Sequence, residues 1–270
     1  MTEIFNEDCV RGMKTLSDAS IDLTVTSPPY DNLRTYNGHI SDFKFEPTAQ
    51  ELFRVTKQGG VVVWIVNDAT INGSETGTSF KQALYFKEIG FNLHDTMIWQ
   101  KTKCSMPERV RYCPQFEYMF VFSKGRPKTV HLIADKENKY CGAKIHGTYT
   151  TANGTREKRS DKWIEHSVGE RGVRWNIWQY SNNPSKDACV HPATFPLKLA
   201  EDHIKSWSDN GDTVLDCFTG SGTTGVACVN LNRNFIGYEI DEKFFALAQR
   251  RIKKATSQKE QSLFDYEATM

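Results

Sequence analysis

Residues 214–241, VLDCFTGSGTTGVACVNLNRNFIGYEID, constrain the fold of this chain more than any other stretch. An apolar run ends near Asp216, and glycines follow at 220, 222 and 225 in Gly-x-Gly-x-x-Gly spacing. A helical pattern then covers 223–231, and a second apolar run over 234–239 ends on an acid, Glu239. That spacing demands a strand, a tight glycine turn, a helix and a parallel return strand, because only glycine lets the chain reverse so sharply and approach a bound group so closely. A single unit of this kind cannot cover its own sheet. Only forty-five residues follow Gly225, too few to supply the remaining strands, so these have to come from the N-terminal part of the chain.

Apolar runs there meet the demand. They predict strands at 4–5, 22–26, 61–66, 93–100 and 116–122, joining those at 213–218 and 234–239; helical spacing appears at 48–57, 79–89, 196–207, 223–231 and 242–254. The alternation predicts an α/β fold with a mostly parallel sheet covered on both faces. Residues 124–187 break the rhythm with Gly, Lys, Arg, Thr and isolated tryptophans, and are expected to form a separate lobe. The expected division is therefore 1–123 and 188–255 in one domain, 124–187 apart from it, and a tail from 256 to 270 with little to pack.

Composition enters as a set of exclusions. At 39% apolar residues the 270-residue chain buries one substantial core. No run approaches the roughly 18 apolar residues of a membrane span. The opening MTEIFNEDCV lacks the basic-then-apolar pattern of a signal peptide, so a cytoplasmic protein without a membrane partner is expected. Seven cysteines, an odd number with no CxxC pair, argue against a zinc site or a disulfide framework and read as reduced thiols; no metal is expected.

Read literally, the glycine loop matches a dinucleotide-binding fingerprint, with Glu239 placed to take ribose hydroxyls. Two features oppose a nicotinamide cofactor. Asp216 just before the loop repels a pyrophosphate and suits a ligand carrying ammonium or sulfonium groups, and Phe218 sets a bulky ring ahead of the glycines. The residues after Gly222 are Thr223 and Thr224, not lysine, so a nucleoside triphosphate loop is excluded.

A second stretch ends a strand in an unusual way. After Ile21–Val25 and Thr26 come Ser27-Pro28-Pro29-Tyr30. Two prolines remove two backbone donors and fix two φ angles, so the strand stops there. A hydroxyl, unpaired carbonyls and an aromatic ring are left pointing outward. A strand-ending turn with no chemistry has the same composition. The alternative is a site where those acceptors and the ring meet a bound group.

With both stretches in place, the chain resembles the amino-group DNA methyltransferases of the permuted class called β, in which the catalytic motif comes first, the target-recognition region second and the S-adenosylmethionine loop last. The resemblance covers most of residues 1–255 in that order. It implies a Rossmann-like, seven-stranded, mostly parallel sheet with one antiparallel strand, 116–122, plus a target-recognition lobe. It implies S-adenosyl-L-methionine as cofactor, held by Asp216, Phe218, Gly220, Gly222 and Thr223 at the methionine end and by Glu239 at the ribose. Asp8 occupies the place of the acid that contacts the adenine, although a surface aspartate at a strand end looks the same. VHPATFPLKLAEDHI, 190–204, is similar to the segment closing the cofactor site, with Thr194-Phe195 where the family commonly has Gln-Lys.

By the same resemblance Ser27, Pro28, Pro29 and Tyr30 are catalytic. An exocyclic amine on a base is a poor nucleophile because its lone pair is delocalised; acceptors at Ser27 Oγ and the Pro28 carbonyl favour the more tetrahedral transition state, and Tyr30 stacks the extruded base. Serine in the first position is more usual among enzymes acting on cytosine N4, while Asp or Asn is more usual for adenine N6, so cytosine is the preferred target and adenine the alternative. The route through a cysteine nucleophile needs a Pro-Cys motif after the glycine loop; the chain has Cys113-Pro114, reversed and upstream. The expected partner is double-stranded DNA, with a cognate restriction endonuclease on the same site as a further partner the resemblance allows. A remote reading is a DNA-binding module without turnover. Residues 124–174 hold twelve Lys and Arg against six Asp and Glu. Arg156, Lys158, Arg159, Lys162, Arg171 and Arg174, among Trp163, Trp175 and Trp178, are candidates for gripping DNA, as are Arg34 and Tyr36. A solvated basic face is the plainer reading of each.

Overall fold

The run Val61–Val66, with Trp64 and Ile65 in it, is apolar on both faces, the composition of a strand covered from both sides. In the computed structural model of the chain it lies near the middle of an eight-stranded sheet. The structure describes residues 1–29, 43–103, 109–144, 147–158, 167–181 and 194–267. The N-terminal part runs β1 (Thr2–Phe5), α1 (Cys9–Met13), β2 (Ile21–Thr26), α2 (Phe45–Val55) and β3 (Thr56–Val66). A small hairpin of β4 (Thr70–Ile71) and β5 (Ser74–Glu75) leads to α3 (Thr78–Glu88), β6 (Asn92–Lys101) and β7 (Phe116–Ser123). Four short strands follow: β8 (Lys136–Glu137), β9 (Thr148–Thr150), β10 (Arg156–Lys158) and β11 (Arg171–Gly172). The C-terminal part comprises β12 (Ile177–Tyr180), α4 (Leu197–Trp207), β13 (Thr213–Asp216), α5 (Thr223–Asn230), β14 (Asn234–Tyr238) and α6 (Glu242–Glu267).

The main sheet has the order β1-β14-β13-β2-β3-β7-β6-β12. Every neighbouring pair is parallel except the two that β7 makes with β3 and β6, so β7 is the single antiparallel strand. On one face Val62, Trp64 and Val66 of β3 pack with Met13, Leu52 and Phe86 of α1, α2 and α3. Period-two alternation turns Val63 and Ile65 to the other face, which α4, α5 and α6 cover. Helix α4 shows the matching pattern: Leu199, Ala200, His203, Ile204 and Trp207 are buried, at the spacing of one helical stripe.

The described residues divide into two compact units, Met1–His131 with Asn176–Met270, and Leu132–Trp175. The smaller unit is narrower than the 124–187 span expected for the lobe. Residues 177–180 correct that span at its end: they form the eighth strand, β12, in parallel register with Ile98–Lys101 of β6. Four residues within a Gly- and Arg-rich tract are too few to show a period, and what holds them is tertiary. Trp178 is buried against His203, their rings 4.6 Å apart, and the Tyr180 hydroxyl donates to Asp202 Oδ2 at 2.6 Å. Trp178 is thus a sheet residue and not part of the basic lobe.

A second correction concerns where the last helix ends. Expected over 242–254, it continues as α6 to Glu267, about 39 Å of helix, while Ser257, Gln258, Glu260, Gln261 and Ser262 are exposed, as befits a stretch with little to pack. No Gly or Pro interrupts 242–267, and the run is rich in Ala, Lys, Gln, Glu and Arg, which propagate a helix once its first turns are nucleated by packing. Lys259 adds a bond to Asn232 Oδ1 at 2.6 Å. The thiols need a third correction. Cys9, Cys141, Cys217 and Cys228 are free, whereas Cys113 is disulfide-bonded; an odd count without a CxxC pair does not forbid one bridge. Among the described residues no helix is long and apolar enough to cross a membrane.

Candidate active site

Strands β2 and β13 are hydrogen-bonded neighbours, with Leu23 opposite Val214 and Thr24 opposite Leu215. Because they are parallel, their C-terminal ends emerge at one edge of the sheet, and the Ser27-Pro28-Pro29 segment leaves the sheet beside the glycine loop. The junction is a single buried carboxylate. Asp216 Oδ1 accepts from the Thr26 hydroxyl at 2.6 Å and from the Phe218 amide at 3.1 Å; Oδ2 accepts from the Thr224 hydroxyl at 2.7 Å. Thr224 also lies 3.3 Å from the Val25 carbonyl. Residues 190 positions apart in the chain are therefore joined one bond away from Ser27.

Asp216 is 1% exposed, which alters the role expected of it. Its oxygens face the protein, so any effect of its charge on a ligand acts through the loop and not by contact. Burial pushes its carboxyl above the usual carboxylate range, while the bonds from Thr26, Thr224 and the Phe218 amide pull it back. The loop that it anchors uses each glycine differently. Gly220 and Gly222 have φ of 52° and 81°, the left-handed region that side chains avoid. Gly225 has no such angle, but a Cβ there would stand 2.4 Å from Ile252 Cδ1 and 2.9 Å from Phe235, so it sets how closely α5 packs between α6 and the sheet. Helix α5 starts at Thr223 with Gly222 as its cap and no side-chain capping bond, leaving first-turn amides available. Thr223 itself is buried, its hydroxyl 3.4 Å from Ser221 Oγ.

Glu239 closes the loop from the other side. Its Oε2 accepts from the Gly220 amide at 2.7 Å and its Oε1 from the Asp241 amide at 2.8 Å. Burial raises its carboxyl, and the two amides oppose that shift. Each oxygen keeps a lone pair beyond its amide bond, and the side chain is half-buried, so the carboxylate can still accept two hydroxyls. Asp8 caps α1 by accepting from the Arg11 amide at 2.9 Å, and it stands three residues past β1, at the same edge of the sheet as Glu239. Phe218 is half-buried and meets Phe43 and Trp64 edge-on, with centroids 5.3 and 6.2 Å apart.

Four contributors were not singled out in the sequence. Thr26 and Thr224 tie the loop to β2; Asn6 donates to the carbonyls of Glu239 (2.8 Å) and Ile240 (3.2 Å); and Arg251, from α6, donates to Ser221 Oγ at 2.9 Å and to the Ser221 carbonyl. Only Thr26 and Thr224 had a signal, as hydroxyls flanking the two motifs. Ser27 is half-buried and Pro28 buried. Tyr30, Arg34 and Tyr36 lie outside the described residues, as do Arg159, Lys162 and residues 182–193.

In the smaller unit, Arg156 and Lys158 are exposed on β10. Arg171 faces Glu137 across the β8–β11 pair, and Arg174 makes a two-pronged pair with Asp135 through Nε, at 3.0 Å, and Nη2. Trp175 is exposed, with the Lys136 ammonium 4.8 Å from its ring centre.

An α/β sheet whose glycine loop and proline-ended strand share one edge, in permuted chain order, agrees with what family comparison finds. The model of the DNA methylase family N6_N4_Mtase matches residues 21–250, and the chain belongs to that family. Among relatives, the orphan methyltransferase M.BamHII of Bacillus amyloliquefaciens is 54% identical over 245 residues, covering 88% of this chain and 91% of the relative. The type II methyltransferase M.SmaI of Serratia marcescens is 27% identical over 286 residues, covering 91% and 88%. Of solved structures, the complex of M1.HpyAVI with SAM aligns with TM-score 0.60 and 25% identity, over 93% of this chain and 100% of that one. The cytosine-N4-specific PvuII DNA methyltransferase aligns with TM-score 0.67 over 95% and 90%; at 20% identity that likeness concerns the fold alone.

Proposed function

We propose that this DNA methyltransferase moves a methyl group from S-adenosyl-L-methionine to the exocyclic amine of a base flipped out of duplex DNA, and that the base is cytosine, modified at N4. The observation that carries the reading is the Asp216 junction, which seats the Ser27-Pro28-Pro29 strand end directly beside the glycine loop. The cofactor, when bound, supplies a methyl carbon activated by a sulfonium.

The chain's own residues fit that group and do the rest. Glu239, with a spare lone pair on each oxygen, accepts the ribose hydroxyls; the open first-turn amides of α5 orient a carboxylate. Gly220, Gly222 and Thr223 form the cradle, Phe218 walls it, Asp216 holds it in place, and Asp8 stands at the adenine end. Ser27 Oγ and the Pro28 carbonyl accept hydrogen bonds from the target amine, drawing its lone pair out of conjugation as the nitrogen becomes tetrahedral. Tyr30 stacks on the flipped base, offsetting part of the few kcal/mol that unstacking costs. Arg34 and Tyr36, with the basic residues of the smaller unit, hold the duplex.

Serine at position 27 favours cytosine; adenine N6 is the second reading, resting on the same acceptors. Mass spectrometry of nucleosides from plasmid DNA of expressing cells decides between them. N4-methylcytosine is the expected product, and N6-methyladenine without methylcytosine would reverse the preference. Tyr30→Ala is expected to lower the rate of methyl transfer by about ten- to a hundredfold, the stacking energy of one base, with S-adenosylmethionine affinity changed less than about threefold. Equal loss of both, by calorimetry and single-turnover kinetics, contradicts the stacking role.

A further inference from the structure

The smaller unit holds a two-stranded antiparallel ribbon, β9 with β10, exposed on both faces. Its register pairs Thr150 with Arg156, Tyr149 with Glu157 and Thr148 with Lys158. Alternation therefore sorts the side chains by sign. One face carries Thr148, Thr150, Arg156 and Lys158; the other carries Tyr149 and Glu157, whose carboxylate accepts from the Tyr149 hydroxyl at 2.8 Å. The single acid is thus held on the face away from the two cations. Among the described residues the side chains of Arg156 and Lys158 enter no ion pair or hydrogen bond, unlike Arg174 with Asp135.

The tip is pre-ordered. The Thr151 amide donates to the Thr155 carbonyl at 2.8 Å, the Gly154 amide to the Thr151 carbonyl at 2.9 Å, and the Thr155 amide to Thr151 Oγ1 at 3.2 Å, with Gly154 at φ 78° closing the turn. Such a ribbon enters a groove with little ordering cost.

We infer that the Thr148, Thr150, Arg156 and Lys158 face of this ribbon enters the major groove of the DNA substrate, where Arg156 reads a guanine and Lys158 grips the backbone. Strands about 4.8 Å apart, with side chains on either side, fill a groove about 12 Å wide. Arg156 and Lys158, two residues apart on one face, are separated by about 6.8 Å, the span of two base-pair steps. The guanidinium fork matches guanine O6 and N7, and a threonine methyl beside it suits a thymine methyl. Lysine, a flexible point charge, suits a phosphate. The inference rests on duplex DNA as the substrate and holds whichever base is methylated.

The test uses the full chain. The sequence context methylated by the wild type is mapped on plasmid DNA, then transfer rates are measured on duplexes altered at each position of that context, for wild type, Arg156→Lys, Arg156→Ala and Lys158→Ala. Arg156→Lys is expected to lose discrimination at one G·C pair by between about five- and a hundredfold, keeping it elsewhere and keeping the salt dependence of binding. Lys158→Ala is expected to weaken binding alike on every duplex and to lower the salt slope by about one. Both arginine variants reading every position as the wild type does would overturn the inference while leaving DNA methylation intact. A wild type that modifies no duplex overturns the substrate reading itself, and the ribbon assignment with it.

Discussion

Gly222→Asp is expected to abolish binding of S-adenosylmethionine, lowering affinity by more than about a hundredfold, and methyl transfer with it. The backbone there has φ of 81°, and a Cβ would stand 3.0 Å from Ala248 Cα, a backbone atom of α6 that has no flexible end to swing aside. The left-handed conformation alone costs about 1–2 kcal/mol for a residue with a side chain. Relieving the contact moves the start of α5, whose free amides are the proposed seat of the ligand's carboxylate, and the new negative charge competes for the same amides. Gly222→Ala carries the steric part without the charge and is expected to fall between the two. Isothermal calorimetry with the cofactor reads both; affinity of the aspartate variant within twofold of wild type removes the glycine loop from the binding site.

Asp216→Ala is expected to lose cofactor binding and about 4 kcal/mol of stability together, whereas Asp216→Asn retains most of both. The alanine leaves the Thr26 hydroxyl and the Phe218 amide without their acceptor in a site of 1% exposure, at about 1–3 kcal/mol for each buried group left unpaired, while the Thr224 hydroxyl falls back on the Val25 carbonyl. Against the 5–15 kcal/mol of a typical domain that is a large fraction. Asparagine keeps Oδ1 for Thr26 and Phe218. Its amide then donates to Thr224 Oγ1, whose own proton turns to the Val25 carbonyl already 3.3 Å away.

The pH dependence separates charge from shape. Burial holds the native Asp216 carboxyl above its ordinary value of 3.8, so the folded state keeps this proton to higher pH than the unfolded chain does. Across the window from 3.8 up to the native value, wild-type stability falls as pH rises, and above it the ionised carboxylate is a standing cost. Asp216→Asn has no such titration, so its melting temperature should gain on wild type as pH rises through that window. A constant gap between the two would show that the carboxyl is not strained by burial. An asparagine variant that folds but no longer binds cofactor would show that the ligand needs the charge itself, through the loop.

Much of this site was legible in order along the chain. Gly220, Gly222 and Gly225 announced the turn and the close helix, and Pro28 with Pro29 announced where β2 stops, because left-handed φ angles and missing amide donors are properties of single residues. Seven strands were visible as apolar runs, five of them, β2, β3, β7, β13 and β14, for a similar reason: burial on two faces needs several consecutive apolar positions. The eighth, Ile177–Tyr180, was hidden because Trp178 and Tyr180 take their meaning from His203 and Asp202, not from their own neighbours. Basic residues of the lobe looked equivalent until register set Arg156 and Lys158 on a face free of acids and Asp135 claimed Arg174.

By itself, then, the amino-acid sequence determined the fold class, the permuted order of the motifs and the turn at each of them, since periodicity, proline and glycine act over a few residues. Tertiary structure alone decided that Asp216 is buried and binds Thr26, Thr224 and Phe218 while Glu239, half-buried, spends one lone pair of each oxygen on an amide and keeps the other. Two acids of one charge and similar surroundings in sequence part company there, because hydrogen-bond partners up to 190 residues distant decide which carboxylate is already satisfied.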